Sequence, residues 1–467
     1  MVYTRAGDIV YGSVKQPEKL VGKRMPQIPE RIYENRLVHI TEKMRKRDLD
    51  FLLIYADREH FANFEYVCGF EPRYEEAVLL IKNDGDCSAI LGNECYPLHV
   101  LSKIRVKPYL YQVFSLPNQP WEKETDLAEI LARVGVRPGS AVGIVGWKLF
   151  PGDRRGRDYL DIPYYIVRIL QKVCGGEEGI IDANDLFISP QDGLRTENEA
   201  EQIAAFEYAS SVASNQVMEC MEHMRDGVSE MEMSAYLNHQ GMPMTSHPVM
   251  VSGENAVFSL SNSSSRILQK GKPVFVGMSL RGGLTCRAGY LVNNTEELSP
   301  EVRDYIERIV KPYYALAVTW LENIGIGVSG GEIYEMVEKC FPRKQFGWEL
   351  NPGHLTGNEE WLSSPIYQDS SVLLRSGMII QQDIIPANSS PYFTTNIEDG
   401  ILLADEVLRN EIQEKYPDMW ERMCHRREYM RTELGIVMKP EVLPMSNSLG
   451  VLRPYFMNHR DGMKKRV

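Results

Sequence analysis

The sequence predicts a two-domain chain of mixed architecture, an α/β unit followed by an α+β unit, and three observations carry that prediction. A chain of 467 residues with 43% hydrophobic content is long enough to bury more than one core. Over roughly the first 180 residues short apolar runs alternate with helical patterns, the arrangement of an α/β sheet. From about residue 199 a long helical pattern comes first and strand-like runs follow, an order that fits α+β better than a parallel repeat.

The elements follow in order. A polar, Pro-containing leader runs to Pro29, after which Ile32, Leu37, Ile40 and Met44 recur at near-helical spacing and predict a helix. It feeds a strand at Phe51-Leu52-Leu53-Ile54-Tyr55, with further strands expected at 77–81, 88–91 and 141–145, and the turn residues Asn83-Asp84-Gly85 between the second and third. Gly, Asp and Asn crowd the segment between Cys174 and Glu199, which places the domain boundary there: residues 1–185 form the first domain and 190–467 the second. In the second domain helices are expected at about 199–226, 301–324 and 330–341, and strands at 249–251, 273–278, 378–385 and 396–403. Beyond Asp405 a charged helical stretch runs through Arg431 and reads as a tail packed on the domain or on a dimer partner. Its Glu421, Arg422, Arg426, Arg427 and Glu428 read as a solvated face.

Charge and composition exclude several function classes. A formal net charge of -12 repels nucleic acid and anionic membranes, and the basic run Lys464-Lys465-Arg466 reads as a solvated tail. No run reaches the roughly 18 apolar residues of a membrane span, and the N-terminus lacks the apolar core of a signal peptide, so a soluble, cytoplasmic protein is expected. The eight cysteines include no Cys-x-x-Cys pair and are expected to be reduced.

The segments that carry chemistry lie mostly in the second half. A long helix follows Arg195-Thr196-Glu197-Asn198-Glu199, and after it come Ser252-Gly253-Glu254-Asn255, Gly353-His354, Gly377-Met378 and Ile397-Glu398-Asp399-Gly400. The first half contributes the segment from Tyr55 to His60 and that from Asn63 to Phe70. In this order and spacing the chain resembles the creatinase, prolidase and aminopeptidase P family over most of residues 30–405. The resemblance implies a C-terminal pita-bread domain preceded by a creatinase-type α/β domain, in a homodimer.

In that family two aspartates, a histidine and two glutamates hold a pair of metal ions that share an attacking hydroxide. Aligned on the motifs, the aspartate positions hold Gly277 and Ala288, and neither coordinates a cation through its side chain. The histidine is His354, the first glutamate position is Asp383 and the last is Glu398; a second histidine common in the family is Trp361 here. One imidazole and two carboxylates remain, so no metal and no cofactor are assigned.

Three readings stay open. In the first, the chain is a metal-independent, creatinase-like hydrolase of a carbon–nitrogen bond in a small substrate, with His354, Asp383 and Glu398 as acid, base and orienting groups. His247, Arg287, Tyr290 and Arg73 are then the candidate substrate contacts. For His247 a structural role, and for Arg73 a surface salt bridge, is the alternative. Tyr290 replaces the glutamate with which creatinase binds its substrate, so a substrate other than creatine is implied. In the second reading the pocket binds a ligand without chemistry; in the third the chain is an Xaa-Pro-type metallopeptidase with its carboxylates drawn from elsewhere.

Overall fold

The computed structural model describes residues 1–466 apart from 120, 122–124, 151–158, 258, 260, 388 and 389. Its strands in chain order are β1 (Ile9–Ser13), β2 (Phe51–Ala56), β3 (Ala77–Lys82), β4 (Cys87–Leu91), β5 (Lys107–Leu110), β6 (Val142–Val145), β7 (Ile180–Asp182), β8 (Val249–Ser252), β9 (Pro273–Leu280), β10 (Gly283–Tyr290), β11 (His354–Leu355), β12 (Ile379–Gln382), β13 (Asn396–Leu403), β14 (Val442–Pro444) and β15 (Asp461–Lys465).

The chain divides into two compact units, Ile28–Thr196 and a second that joins Met1–Gln27 to Glu197–Val467. The leader, expected with the first domain, groups with the second because β1 pairs antiparallel with β15. That pairing also takes Lys464 and Lys465, expected in a free tail, into a two-stranded ribbon.

The smaller unit is a mixed six-stranded sheet in the order β5-β4-β3-β2-β6-β7. β2 pairs antiparallel with β3 and parallel with β6, which places it at the centre, and every one of its residues is buried. A strand covered on both faces tolerates no alternation, and the unbroken run FLLIYA is what such a strand requires. The helix Leu127–Val134 starts where the Asp126 carboxylate accepts a hydrogen bond from Ala128 N and stops at Gly135, whose φ of +115° suits a residue without Cβ.

The larger unit is built on an antiparallel sheet, order β11-β12-β13-β10-β9-β8, with β14 also pairing β13. Its strands present two faces. On one, Val274, Val276 and Met278 pack with Ala209, Val212, Ala213 and Val217 of the helix Ala200–Glu222. Tyr313, on the helix Lys311–Asn323, exchanges hydrogen bonds with both backbone groups of Ile397. The strand alternation then turns Gly277, Cys286 and Glu398, which stand in one row across β9, β10 and β13, to the other face.

The C-terminal helix Pro417–Thr432 corrects the reading of its charges as a solvated face. Arg426 is buried and pairs with Glu207 at 2.7 Å, and Arg422 donates to the same carboxylate through Nε at 3.0 Å. Charge alternation along a helix cannot reveal that its partner is a carboxylate more than 200 residues earlier, and the cation pair holds the Glu207 carboxyl below its usual range against the opposing effect of burial.

Candidate active site

The centre of the site is where β11, β12 and β13 adjoin. His354 opens β11 and pairs across to Gln381; Asp383 follows the last residue of β12; Glu398 is the third residue of β13. Ligand-capable atoms of these three side chains lie within 4.8 Å of one another, and all three residues are buried. The structure thus brings together the three residues proposed from sequence as the catalytic set.

Each group's state follows from its surroundings. His354 Nδ1 lies 3.1 Å from the Leu355 carbonyl, which can only accept, so Nδ1 carries the proton and Nε2 is left as the free lone pair. Burial lowers the His354 pKa to about 4, so the imidazole is neutral at neutral pH. Burial and then the charge of Glu360 push Asp383 up to about 7. Burial, followed by the charges of Asp383 and Glu360, raises Glu398 well above the carboxylate range. His354 Nε2 and Asp383 Oδ1 have no hydrogen-bond partner among the described residues. Trp361, in place of the family's second histidine, stacks on the His354 ring at 4.2 Å between centroids and 15° between planes.

Two neighbours were not legible as site residues. Glu360 precedes Trp361, and only the loop carrying both brings its charge to the carboxyls. Cys286 stands directly opposite both Gly277 and Glu398, and its thiol hydrogen-bonds the Glu398 carboxyl. The reason is the turn between β9 and β10, which is only Arg281-Gly282, with Gly282 at φ +86°. This tight hairpin sets Cys286 against Gly277 and Ala288 against Phe275, and the pairing of β10 with β13 puts Cys286 beside Glu398 and Ala288 beside Asn396, one pleat further along.

This geometry tests the family's metal pair. A pair needs carboxylates facing the cluster from β9 and β10; the aligned positions, Gly277 and Ala288, both lie on the Glu398 face and offer none, and Cys286 stands directly across from Gly277. A Cβ built at Gly277 meets Cys286 Sγ at 2.6 Å, so the thiol occupies the room an aspartate there would use. The residues do not fit a metal pair. His354, Asp383 and Glu398 by themselves offer three donors, a set that suits a single divalent ion.

The proposed substrate contacts fare differently. Arg287 faces away from the cluster: its guanidinium donates to Asp399 at 2.5 Å and to the Val451, Cys286 and Ser448 carbonyls, at a site with 2% exposure. With its donors spent internally it is a structural cation and not a substrate contact. Tyr290 points to the cluster's side of the sheet, but its hydroxyl accepts from Phe393 N at 2.7 Å and its ring packs edge-on against Tyr305. His247 is exposed in the stretch before β8. Arg73 lies in the other unit, largely exposed and 3.2 Å from Glu71, so its surface ion pair is the one that forms.

Comparison with known proteins places this geometry. Residues 204–407 match the model of metallopeptidase family M24. Among solved structures, Xaa-Pro dipeptidase from Bacillus anthracis superposes with a TM-score of 0.61 at 15% identity, over 80% of this chain and 96% of that one. Prolidase from Thermococcus sibiricus gives 0.62 at 17% identity, over 80% and 95% of the two chains. X-Pro aminopeptidase from Thermotoga maritima gives 0.60 at 14%, over 79% and 95%. No curated protein matches in sequence. The shared fold and the family match agree with the motifs: the C-terminal unit carries a pita-bread domain of family M24, the family of creatinase, prolidase and aminopeptidase P, preceded by the N-terminal domain of that fold. In this domain the row across β9, β10 and β13 at the cluster reads glycine, cysteine and glutamate. Among the described residues no helix is long and apolar enough to cross a membrane.

Proposed function

We propose that the chain hydrolyses a carbon–nitrogen bond in a small molecule of amide, amidine or guanidino type, without a metal pair, through His354, Asp383 and Glu398. One observation carries this reading: a neutral imidazole with an unpartnered Nε2 sits in a buried cluster with two carboxyls that favour their protonated forms. A base and an acid therefore coexist near neutral pH, as hydrolysis requires. His354 Nε2 accepts a proton from water as the water oxygen bonds to the substrate carbon. A protonated carboxyl of the Asp383–Glu398 pair gives its proton to the departing nitrogen as the carbon–nitrogen bond breaks. Glu360 disfavours ionisation of both carboxyls together, which keeps a proton in the pair.

The second reading, an Xaa-Pro-type metallopeptidase, is supported by the activities named for the structural relatives and by the three donors that suit a single ion. The third, a binding protein without turnover, is supported by the missing pair of aspartates. The first reading also carries a homodimer, which light scattering of the purified protein checks, and a cytoplasmic location, which fractionation of the source cells checks.

The deciding experiment is elemental mass spectrometry of the purified chain, with and without added manganese, cobalt, zinc or iron. It is paired with turnover assays on guanidino, ureido, cyclic amidine and Xaa-Pro compounds. Turnover that survives a chelator and disappears in His354→Ala and Glu398→Gln is the expected result. Close to two ions per chain with Xaa-Pro cleavage replaces it with the second reading, and ligand binding without turnover by the third.

A further inference from the structure

Asn396 is fully buried, and neither Nδ2 nor Oδ1 of its side chain has a hydrogen-bond partner among the described residues. It is the first residue of β13, two before Glu398, so its side chain projects from the same face of the sheet as the reacting groups. The strand rise puts it roughly 7 Å along from Glu398. Its register partner on β10 is Ala288, whose methyl group offers the carboxamide no hydrogen-bond partner. Burying an amide with neither its donors nor its acceptor engaged is unfavourable, so such a residue persists where a ligand completes it.

We propose that Asn396 is a substrate-recognising residue that selects a ureido group over a guanidino group. This rests on the reading that a small carbon–nitrogen substrate enters the His354 site, and it narrows that substrate's class. The argument is one of complementarity. A carboxamide offers donors and an acceptor side by side, and a ureido group, whose terminal NH2 has one N–H on the carbonyl's side, returns an acceptor and a donor in the same spacing. A guanidinium carries donors only: it satisfies Oδ1 and leaves Nδ2 facing another donor. Among the described residues Asn396 is matched on this face by other free atoms, His354 Nε2 and Asp383 Oδ1, so the ligand-facing row extends from the reacting groups to the carboxamide.

The test is titration calorimetry of the full chain with N-carbamoylglycine and guanidinoacetate. The two share a glycine arm and differ in presenting a ureido carbonyl or an amidinium. The wild type is expected to bind the ureido compound roughly tenfold more tightly, the scale of one unmet buried hydrogen bond. Asn396→Asp reverses that preference, because a carboxylate accepts from the guanidinium. Asn396→Leu erases it while keeping or raising the Tm, since the free carboxamide has no internal bond to lose. Equal affinity of the wild type for both compounds, absence of binding included, overturns the proposal, as does a clear fall in Tm for Asn396→Leu, which marks a structural role. The measurement reads binding and not turnover, so a protein that prefers the ureido compound yet hydrolyses nothing sinks the hydrolase reading and leaves this one standing.

Discussion

Replacing Arg287 by Met separates a structural cation from a substrate contact. The guanidinium makes four hydrogen bonds, to the Asp399 carboxylate at 2.5 Å and to the carbonyls of Val451, Cys286 and Ser448 at 2.9, 2.7 and 2.6 Å. Methionine fills much of the volume and removes every donor. Asp399 would then keep three hydroxyl donors, Thr285 at 3.0 Å, Ser446 at 2.6 Å and Ser448 at 2.9 Å, which soften the loss without neutralising the charge. Breaking a buried pair by removing one partner costs about 3–5 kcal/mol. For a unit of this size that is a fall in Tm of roughly 6–20 °C. Differential scanning calorimetry reads the fall, and Arg287→Met with Asp399→Leu, which removes both charges, should recover a large part of it. A single variant that keeps the wild-type Tm and loses ligand affinity instead would refute the reasoning and return Arg287 to the substrate site.

Further outcomes follow from the same geometry. Asp383 has a folded pKa raised to about 7 by burial and Glu360, above its unfolded value, so the native state holds a proton there that the unfolded chain releases from about pH 4. Stability of the metal-free protein should therefore fall as pH rises from about 4 to about 7, and Asp383→Asn should flatten that slope in urea titrations; an unchanged slope contradicts the assignment. Gly277→Asp places a Cβ 2.6 Å from Cys286 Sγ and should cost about 1–3 kcal/mol, with Cys286→Ala in the same chain relieving most of it. Additive losses in that pair of substitutions would mean that the thiol does not fill the vacant position. Glu230, fully buried, accepts from the backbone N–H and the hydroxyl of both Ser252 and Ser264, so Glu230→Ala should lower stability by several kcal/mol, read in urea titrations, and an unchanged midpoint contradicts the assignment.

Much of this protein is legible in its amino-acid order. The continuous apolar runs that became β2, β3, β4 and β6 announce a buried sheet, because a strand covered on both faces has no polar alternation to disguise it. The motifs around His354 and Glu398 mark the two ends of the cluster, since each belongs to a short segment whose local spacing is kept. Only tertiary structure decided which residue of β10 stands beside Glu398. Linear alignment named Ala288 for an aspartate position; the pairing of β10 with β13 keeps Ala288 on the Glu398 face, opposite Asn396, and sets Cys286 directly beside Glu398. Likewise Arg287 reads as a pocket residue in sequence because it adjoins pocket residues. In a strand the next residue faces the opposite side, and that alternation puts Arg287 and Asp399 in the buried ion pair behind the site. Register and face are set by where distant strands meet, here β10 with β13 more than 100 residues later, and no local pattern encodes that encounter.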